Sequence, residues 1–477
     1  MKNPGRCKIA FVLLLLFIQF SLVAQVKKAA SVNGDFYNIT SFGAEPSVKT
    51  LNTVPIQKAI DECSKNGGGT VYVPAGTFLA GSITMKSHVT LSLSKNATLL
   101  ASGTISDYSN NKDKLCFILM DGVEDVSIIG EGVINGQGGL FTVADEAPDR
   151  PFLLLVNGSR NIRIENVTLK NPAQWTLRLS GDEHVFIKGI SIYSHANFNN
   201  DGIDIDSKDV VISDCIIDSD DDGICFKTET SRLCENVVVT NCVVASNCNF
   251  IKFGTASHGG FKNISVSNCT LRHASVSNHR TWYKMPGISD SITGISGIAL
   301  EVVDGGFMDQ VTISNITMDG VQTPIFIRLG SRRTPTGYLK NVIISNIVAT
   351  SHSKIPCLIS GVPGYYVENV ILRDIIINCK GEGELVDIDR PVPENEKNYP
   401  ENRMFGSSLP AYGMYIRHAR NIEIDNVSFN LLKPDFRPAL WFDDAQDITI
   451  RGLKASQPSG STQLIMKKET DKIRLLE

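Results

Sequence analysis

The sequence predicts an all-β protein, a right-handed single-stranded parallel β-helix, on two observations. A short segment such as VTISN, ending at Asn315, recurs eleven times with alternating apolar residues. Most copies follow one another at 23 to 31 residues, which is a solenoid period. Strands this short cannot bury an apolar face alone, so neighbouring copies must stack about 4.8 Å apart. The copies end at Gly130, Asn166, Gly189, Asp214, Asn241, Asn268, Asn315, Asn346, Asp374, Asn426 and Gly452.

Turns and one helix complete the predicted architecture. Each copy ends in Asn, Asp or Gly, which favour turns, and stacking would place the asparagines in a ladder. The one clear helix pattern covers residues 54–64, where Ile56, Ala59, Ile60 and Cys63 share a face. We expect this helix to cap the N-terminal end of the stack, where an unpaired strand edge would otherwise be open.

Composition argues against a nucleic-acid-binding protein, and the N-terminal segment indicates export. With 46 basic and 50 acidic side chains, the charge balance gives no reason to expect nucleic acid as a partner. Residues 1–24 match a secretory signal peptide, because three basic residues precede an apolar run at 9–23 and Ala24. We expect export to the periplasm or the medium, no membrane span after cleavage, and a single monomeric domain over residues 25–477.

Three cysteines fall at the same position of successive repeats. Cys215, Cys242 and Cys269 are each 27 residues apart, which predicts one column. A metal or disulfide site is one interpretation, and a stack of small buried side chains is the other. We favour the stack, because unpaired cysteine is among the most buried residue types and the chain has no CxxC pair.

Two segments one coil apart carry more acidic residues than packing requires. They begin at Asn199 (NNDGIDID) and at Asp220 (DDDGICFK). Aligning their inward residues, Ile203 with Ile224, brings five carboxyl groups into two coils. These are Asp201, Asp204, Asp206, Asp221 and Asp222.

The same alignment predicts three columns of side chains along one face. The first column holds Trp175, Asp201, Asp222, Asn249, Ser296 and Thr323, the second Arg178, Asp204, Cys225, Lys252, Ala299 and Phe326, and the third Ser180, Asp206, Lys227, Gly254, Glu301 and Arg328. Stacked carboxylates repel and raise one another's pKa, as a general acid requires. Turn-forming Asp residues and a calcium site are the alternatives. We favour a catalytic cluster and expect no metal or other cofactor.

At these residues the chain resembles glycoside hydrolase family 28, which contains polygalacturonases and rhamnogalacturonan hydrolases. The resemblance rests on Asn199-Asn200-Asp201-Gly202, on the pair Asp221-Asp222, and on the segments FGAEPSVKTLNT and GGGTVYVPAGTF. It implies a pectin-lyase-like solenoid that hydrolyses an α-linked, galacturonic-acid-containing pectic chain with inversion. By family role Asp221 would be the general acid, and Asp201 with Asp222 would activate the attacking water. Inversion places the acid and the base about 6.5 to 9.5 Å apart.

Two departures from the family pattern bear on the substrate. The family's Gly-His-Gly falls on Cys248-Asn249-Phe250, and its Arg-Ile-Lys falls on Ala299-Leu300-Glu301, which removes two cations that hold a substrate carboxylate. We therefore expect rhamnogalacturonan or a substituted galacturonan rather than plain homogalacturonan. The residues predicted to bind substrate are Asn199, Asp204, Lys227, Asn249, Lys252, Glu301, Arg328 and Trp282.

The longest intervals between repeats predict specificity loops. The 47-residue interval contains Trp282 and Tyr283, and the 52-residue interval contains residues 390–415 with Tyr412. These aromatic side chains either stack on sugars or pin the loops to the solenoid. Two other functional classes stay open from the sequence: a calcium-dependent polysaccharide lyase on the same fold, and a β-helix that binds glycan without catalysis.

Overall fold

The computed structural model describes residues 36–109, 115–145, 147, 149–280 and 294–476. The predicted signal peptide and Trp282 with Tyr283 lie outside these residues. The described part contains one α-helix, α1 (Thr53–Lys65), and 31 strands in one continuous sheet. No described helix has both the length and the apolar character needed to cross a bilayer.

The strands from the N-terminal end to the coil that follows the two acidic segments are numbered β1 to β21. They are β1 (Phe36–Asn38), β2 (Gly69–Val73), β3 (Gly76–Ala80), β4 (Ile83–Thr84), β5 (Val89–Leu93), β6 (Ala97–Ala101), β7 (Cys116–Asp121), β8 (Glu124–Gly130), β9 (Val133–Asn135), β10 (Phe152–Asn157), β11 (Arg160–Glu165), β12 (Thr168–Lys170), β13 (Leu177–Lys188), β14 (Ser191–Ser194), β15 (Ile203–Ser213), β16 (Ile216–Ser219), β17 (Ile224–Thr228), β18 (Cys234–Thr240), β19 (Val243–Ser246), β20 (Asn249–Ser257) and β21 (Phe261–His273).

The remaining strands lead to the C-terminal end. They are β22 (Gly294–Val302), β23 (Phe307–Leu329), β24 (Tyr338–Ser351), β25 (Cys357–Ser360), β26 (Val367–Cys379), β27 (Met414–Leu431), β28 (Leu440–Arg451), β29 (Lys454–Ala455), β30 (Ile465–Lys468) and β31 (Asp471–Leu476).

The strands pair in parallel from coil to coil, which confirms the predicted parallel β-helix. One face, which we call the site face, stacks β4, β7, β10, β13, β15, β17, β20, β22, β23, β25, β27, β28 and β30 in that order. The interior between the faces is apolar; Phe226 and Phe253, for example, stack with ring centroids 4.1 Å apart. Each coil therefore buries its inward residues against its two neighbours.

The predicted register is correct on the site face. Ile203 pairs with Leu177 and Ile224, and the same row continues through Ile251 and Ile298. The second column is confirmed along its whole length. The third column is confirmed only at its ends, because the pairing of β17 with β20 shifts register after Phe226.

The turn residues explain how the chain closes each coil. All eleven positions that end a repeat have a positive φ, a backbone conformation that Gly, Asn and Asp tolerate best. The asparagines form the expected ladder: Asn346 Nδ2 donates to Asn315 Oδ1 at 3.0 Å, and Asn315 Nδ2 to Asn268 Oδ1 at 2.9 Å. A second ladder, five residues earlier in each repeat, includes Asn369 Nδ2 donating to Asn341 Oδ1 at 2.9 Å.

The extent of the helix and the burial of the three cysteines match expectation, while the capping role of the helix stays a prediction. Helix α1 begins one residue before the predicted segment and ends one residue after it, and its predicted apolar face is buried against β1, β2, β4 and β5. The three stacked cysteines are buried, and none of the cysteines in the described residues forms a disulfide. The column is therefore not a disulfide site, and the stack of small buried side chains stays the favoured interpretation.

Candidate active site

The five predicted carboxyl groups lie on two adjacent coils of the site face. Asp201 lies two residues before the start of β15, Asp204 and Asp206 lie within it, and Asp221 and Asp222 lie between β16 and β17. Each of these residues is at most 9% exposed. Burial of an ionised carboxylate is costly unless a cation or hydrogen-bond donor compensates it, so the partners of each carboxylate define the chemistry of the site.

Lys227 bridges two of these carboxylates. Its Nζ lies 2.5 Å from Asp201 Oδ2 and 2.7 Å from Asp204 Oδ1. It also stands 4.3 Å from the ring centroid of Trp175, a cation–π contact. Burial alone would lower the pKa of Lys227, but Asp201 and Asp204 outweigh it and hold that pKa well above its usual range. Lys227 is therefore a permanent cation of the site.

Asp204 keeps its proton more readily than an ordinary aspartate. Burial raises its pKa to about 7, although Lys227 opposes the increase. Asp204 is fully buried, so the desolvation of its charged form is the largest cause. Near neutral pH Asp204 therefore populates both its protonated and its ionised form.

Asp222 has the opposite environment, one coil away. Lys252 Nζ lies 3.0 Å from Asp222 Oδ2, and Asn249 donates to Asp222 Oδ1 from its side chain at 2.8 Å and from its backbone at 3.2 Å. Burial would raise the pKa of Asp222, but Lys252, Lys227 and Asn249 outweigh it and lower that pKa to about 2. The side chain is therefore ionised at any physiological pH. Such a carboxylate can accept a proton from water or orient it.

Asp221 has a cation beside it that the sequence did not indicate. The Arg280 guanidinium contacts Asp221 Oδ2, and its Nε lies 3.5 Å from Oδ2 of the neighbouring Asp220. Asp221 Oδ1 also accepts a hydrogen bond of 2.9 Å from the backbone nitrogen of Asp222. Arg280 belongs to the chain after β21, which enters the long interval between repeats.

The third acid in β15 belongs to a separate ion pair. Arg178 Nη2 lies 3.6 Å from Asp206 Oδ2 and 3.3 Å from Glu229 Oε2. Arg178 also stands 5.3 Å from the ring centroid of Trp175, which in turn stacks on Phe152 at 5.0 Å. Arg178 and Lys227 therefore both contact Trp175, and this ring forms part of the wall beneath the acidic cluster.

A buried arginine orients the loop that leads into Asp201. Arg150 Nη2 donates to Asn199 Oδ1 at 2.8 Å, and its Nη1 donates to the carbonyl of Phe198 at 2.6 Å. Asn199 thus lies at the cluster as predicted, with its side-chain oxygen already engaged. The sequence does not indicate Arg150, because this residue follows an irregular segment with no repeat pattern that would align it with the acids.

Glu301 lies where the family pattern has a lysine, in a buried position near Lys252 and Thr255. It is fully buried, and its Oε2 is 3.5 Å from Thr255 Oγ1. Burial raises the pKa of Glu301 to about 8, although Lys252 opposes the increase. At neutral pH this side chain is chiefly protonated, so it is a neutral hydrogen-bonding group near Lys252.

Arg328 is engaged by protein groups. Its Nη1 donates to Ser360 Oγ at 2.7 Å and to the carbonyl of Gly361 at 2.8 Å, and its Nη2 donates to the carbonyl of Glu394 at 2.9 Å. Only 1% of the residue is exposed. In this arrangement Arg328 anchors the loop before β27, and its predicted contact with substrate stays a prediction.

That loop delivers a tyrosine to the acidic cluster. Tyr399 Oη accepts a hydrogen bond of 3.2 Å from Lys252 Nζ, and Tyr399 is 58% exposed. Tyr412, from the same loop, is 3% exposed and donates to the carbonyl of Ser456 at 2.6 Å, so it pins the loop to the solenoid. The sequence predicted a functional loop here but did not distinguish Tyr399 within it.

One group of side chains has the spacing of a metal site. Ligand atoms of Asp221, Asp222 and Cys248 lie within 4.8 Å of one another. However, Lys252 and Asn249 already engage both oxygens of Asp222, and burial raises the pKa of the Cys248 thiol well above its usual range. Because a thiol binds metal as the thiolate, we assign no metal to this group.

Comparison with known proteins decides the family. A model described as glycosyl hydrolases family 28 matches residues 63–390, which is more than half of the chain. The chain belongs to glycosyl hydrolase family 28. This finding confirms the resemblance carried by Asp201 and by the Asp221-Asp222 pair.

Relatives of this family 28 chain include plant and bacterial proteins. It is 35% identical over 224 residues to a probable polygalacturonase of Vitis vinifera, covering 42% of this chain and 46% of that protein. It is 27% identical over 251 residues to exo-poly-alpha-D-galacturonosidase of Dickeya chrysanthemi, covering 40% and 41%. The chain thus matches less than half the length of either relative.

A solved structure supports the fold. The crystal structure of a hyperthermoactive exopolygalacturonase from Thermotoga maritima aligns with a TM-score of 0.61 and 22% sequence identity. The alignment covers 73% of this chain and 88% of that one. At this identity the likeness shows the shared fold alone.

Proposed function

We propose that this family 28 chain is an exported inverting glycosidase that hydrolyses an α-linked, galacturonic-acid-containing pectic chain. The observation that carries the proposal is that the two neighbouring acids Asp221 and Asp222 contact different groups. Asp222 is held ionised by Lys252 and Asn249, while Asp221, its neighbour, faces a different set of groups. An acid and a base in separate environments are what such a hydrolysis needs. Ligand atoms of Asp221 and Asp222 lie within 4.8 Å of each other, closer than the separation typical of inversion, so we assign the base role to Asp222 together with Asp201 from the adjacent coil.

The proposed roles follow from these contacts. Asp222, with Asp201, orients and deprotonates a water molecule that attacks the anomeric carbon. Asp221 gives its proton to the glycosidic oxygen as the bond to the leaving sugar breaks. Lys227 holds Asp201 in place through its bridge to Asp204. The water proton goes to the basic carboxylates, so the reaction is balanced without a cofactor.

The proposed substrate follows from the charge of the cleft. Ala299 and Glu301 stand where the family resemblance implies cations, and Glu301 is chiefly neutral at pH 7. Lys227 and Lys252 are already paired with aspartates. A neutral or substituted sugar at one subsite therefore suits this cleft better than an unbroken run of galacturonate, which favours rhamnogalacturonan or a substituted galacturonan.

The same contacts disfavour a lyase. β-Elimination needs a base that removes a proton next to the uronate carboxyl group, and an uncharged lysine is a suitable one. Lys227 and Lys252 both have their pKa values held well above the usual range, since nearby aspartates outweigh burial. Neither lysine is a base at neutral pH.

The first experiment compares reducing ends released from rhamnogalacturonan and homogalacturonan, with chelator present and ultraviolet absorbance recorded. We expect reducing ends from rhamnogalacturonan without absorbance by unsaturated uronides. Absorbance at the product would identify a lyase, and binding without any product would identify a glycan-binding protein. Proton NMR of the first product formed would test inversion, because the new anomeric centre must be β.

Substitution of the proposed acid is the sharper test of mechanism. We expect Asp221→Asn to lower kcat by at least about 100-fold, on the scale of general acid catalysis, with an unchanged far-ultraviolet circular dichroism spectrum. Asp209→Asn is a matched control, because Asp209 accepts a hydrogen bond from Asn236 in an exposed ladder. Full activity in Asp221→Asn would contradict the assigned role.

A further inference from the structure

A buried acid lies next to the proposed general acid. Asp220 is fully buried. Its Oδ1 accepts a hydrogen bond of 3.0 Å from Asn247 Nδ2, and its Oδ2 lies 3.5 Å from Arg280 Nε. A buried carboxylate of this kind costs several kcal/mol unless a cation compensates it. Arg280 is such a cation.

Arg280 reaches two carboxylates with one guanidinium. While Nε faces Asp220, Nη2 contacts Asp221 Oδ2, and Nε lies 3.4 Å from the backbone carbonyl of Asp220. Arg280 is 5% exposed, and its guanidinium stands 5.8 Å from the ring centroid of Phe198. The planar, multi-donor head of arginine suits such bridging, and lysine does not reproduce it.

A histidine also lies close to the Asp220 carboxylate. His195 Nε2 lies 2.8 Å from Asp218 Oδ1, and its Nδ1 lies 3.9 Å from Asp220 Oδ1. Burial would lower the pKa of His195, but Asp218 and Asp220 outweigh it and raise that pKa. Arg272, 3.5 Å from Asp218, adds a further positive charge at the edge of the cluster.

We propose that Arg280 is a positioning residue for Asp221, with Asp220 as its counter-ion, and that together they fix the orientation and the acidity of the Asp221 carboxyl group. An arginine alone beside Asp221 would favour the ionised carboxylate, the wrong state for a general acid. The negative charge of Asp220 partly compensates the positive charge of Arg280, so Arg280 lowers the pKa of Asp221 less than it would alone. The inference rests on the proposed function, in which Asp221 is the acid.

The other charged groups around Asp221 act in pairs. Asp222, on the same segment, is neutralised by Lys252 from β20, and Asp201, before β15, is neutralised by Lys227 from β17. Among the described residues, Arg280 contacts Asp221, the pair of His195 and Asp220 lies next to Arg280, and Asp201, Asp145 and Tyr399 also act on Arg280. The charges of Arg280 and Asp220 can therefore be changed by substitution without removing the lysine partner of Asp201 or of Asp222.

Opposite shifts are expected from the two single substitutions. A general acid must be protonated, so activity falls as pH rises through its pKa. Arg280→Met removes a cation from Asp221, which should raise the pKa of Asp221 and move the alkaline limb of kcat up by about one pH unit. Asp220→Asn removes an anion, which should lower that pKa and move the limb down by a similar amount.

A direct titration separates this inference from the proposed function. The full-length protein is labelled with ¹³C at the aspartate carboxyl carbons, the Asp221 signal is assigned with Asp221→Asn, and its pKa is followed by NMR without substrate. Arg272→Met is the matched control, because it removes a cation of the same cluster that touches Asp218 and not Asp221. Arg280→Gln also removes the charge, keeps hydrogen-bond donors at this position and serves where Arg280→Met fails to fold.

The outcomes of the titration are distinct. A higher Asp221 pKa in Arg280→Met, a lower one in Asp220→Asn and no change in Arg272→Met support the inference, even if no pectic substrate is cut. An Asp221 pKa that is the same in wild type, Asp220→Asn and both Arg280 variants overturns it, even if the enzyme is an active hydrolase. A shift of equal size in Arg272→Met also overturns it, because the effect would then belong to the whole cluster.

Discussion

At the scale of single residues, the site assigns different proton affinities to chemically identical side chains. Asp204 and Asp222 lie one coil apart and are both buried. Burial raises the pKa of Asp204 to about 7, because it must share Lys227 with Asp201. Burial is outweighed at Asp222 by Lys252 and Asn249, and its pKa is lowered to about 2. The number of cations and hydrogen-bond donors around each buried carboxylate therefore determines whether it is protonated or ionised.

Lys252 should therefore control the acidic limb of the activity profile. A base must be ionised, so activity falls as pH drops through its pKa. Lys252→Met removes the nearest cation from Asp222, which raises the pKa of that carboxyl group and moves the acidic limb to higher pH. We expect a loss of at least about tenfold in kcat/KM at pH 5, measured as reducing ends released.

Two variants make this prediction specific. Lys252→Arg keeps a positive charge beside Asp222 and should keep the acidic limb near its wild-type position. Lys262→Met removes a lysine from β21, on another part of the solenoid, and should change neither limb. An acidic limb that stays in place in folded Lys252→Met would show that Asp222 does not depend on Lys252.

At the scale of structural elements, the turns determine where each coil ends. The Asn and Asp residues that end repeats have φ values between 52° and 61°. A residue with a β-carbon and no local polar group adopts this conformation at a cost of about 1–2 kcal/mol. The side-chain amides then add a ladder of hydrogen bonds along the stack.

Asn346 offers a test that separates these two contributions. Asn346→Ala loses both the tolerated backbone conformation and the hydrogen bond to Asn315, so we expect the free energy of unfolding to fall by about 2 kcal/mol. Asn346→Gly restores the backbone conformation without the amide and should lose about half as much. The thermal midpoints of the three proteins check this order; equal midpoints for both variants would mean that the backbone conformation costs nothing here.

The elements that the sequence predicted are those with a period. Alternating apolar residues determine which side of a strand faces inward, so the register from Ile203 to Ile298 followed from the alignment of repeats. Asp201 and Asp222 came into one site by the same argument. The shift after Phe226 was not predicted, because a change of strand pairing leaves the apolar alternation intact.

The residues that the sequence did not reveal come from irregular segments. Arg150, Arg280 and Tyr399 reach the acidic coils from chain segments that do not repeat, up to 147 residues away in sequence. Nothing in the spacing of such segments indicates which coil they contact. Arg328 shows the same limit for its protein contacts: its place in the column followed from the alignment, but its hydrogen bond to the carbonyl of Glu394 in the loop did not.

At the scale of the whole molecule, the buried ionisable groups make stability depend on pH. A buried acid with a raised pKa binds its proton more tightly in the folded state than in the unfolded chain. The folded state therefore loses stability as pH rises from the unfolded pKa to the folded one. Asp204 and Glu301, with pKa values raised by burial to about 7 and about 8, both act in this direction between about pH 4 and pH 8.

Glu301 is the better probe of this effect, because glutamine can replace its protonated form. Glu301→Gln cannot ionise, so its stability relative to wild type should increase by about 1–3 kcal/mol between pH 5 and pH 8. Thermal midpoints of both proteins at the two pH values give the comparison, and Glu131→Gln is the control, since Glu131 is exposed and pairs with the exposed Lys95. If the difference between Glu301→Gln and wild type is the same at both pH values, Glu301 is ionised in the folded protein, and Lys252 must then neutralise Glu301 as well as Asp222. That result would restore a negative charge to the cleft and make an acidic sugar at this subsite still less favourable.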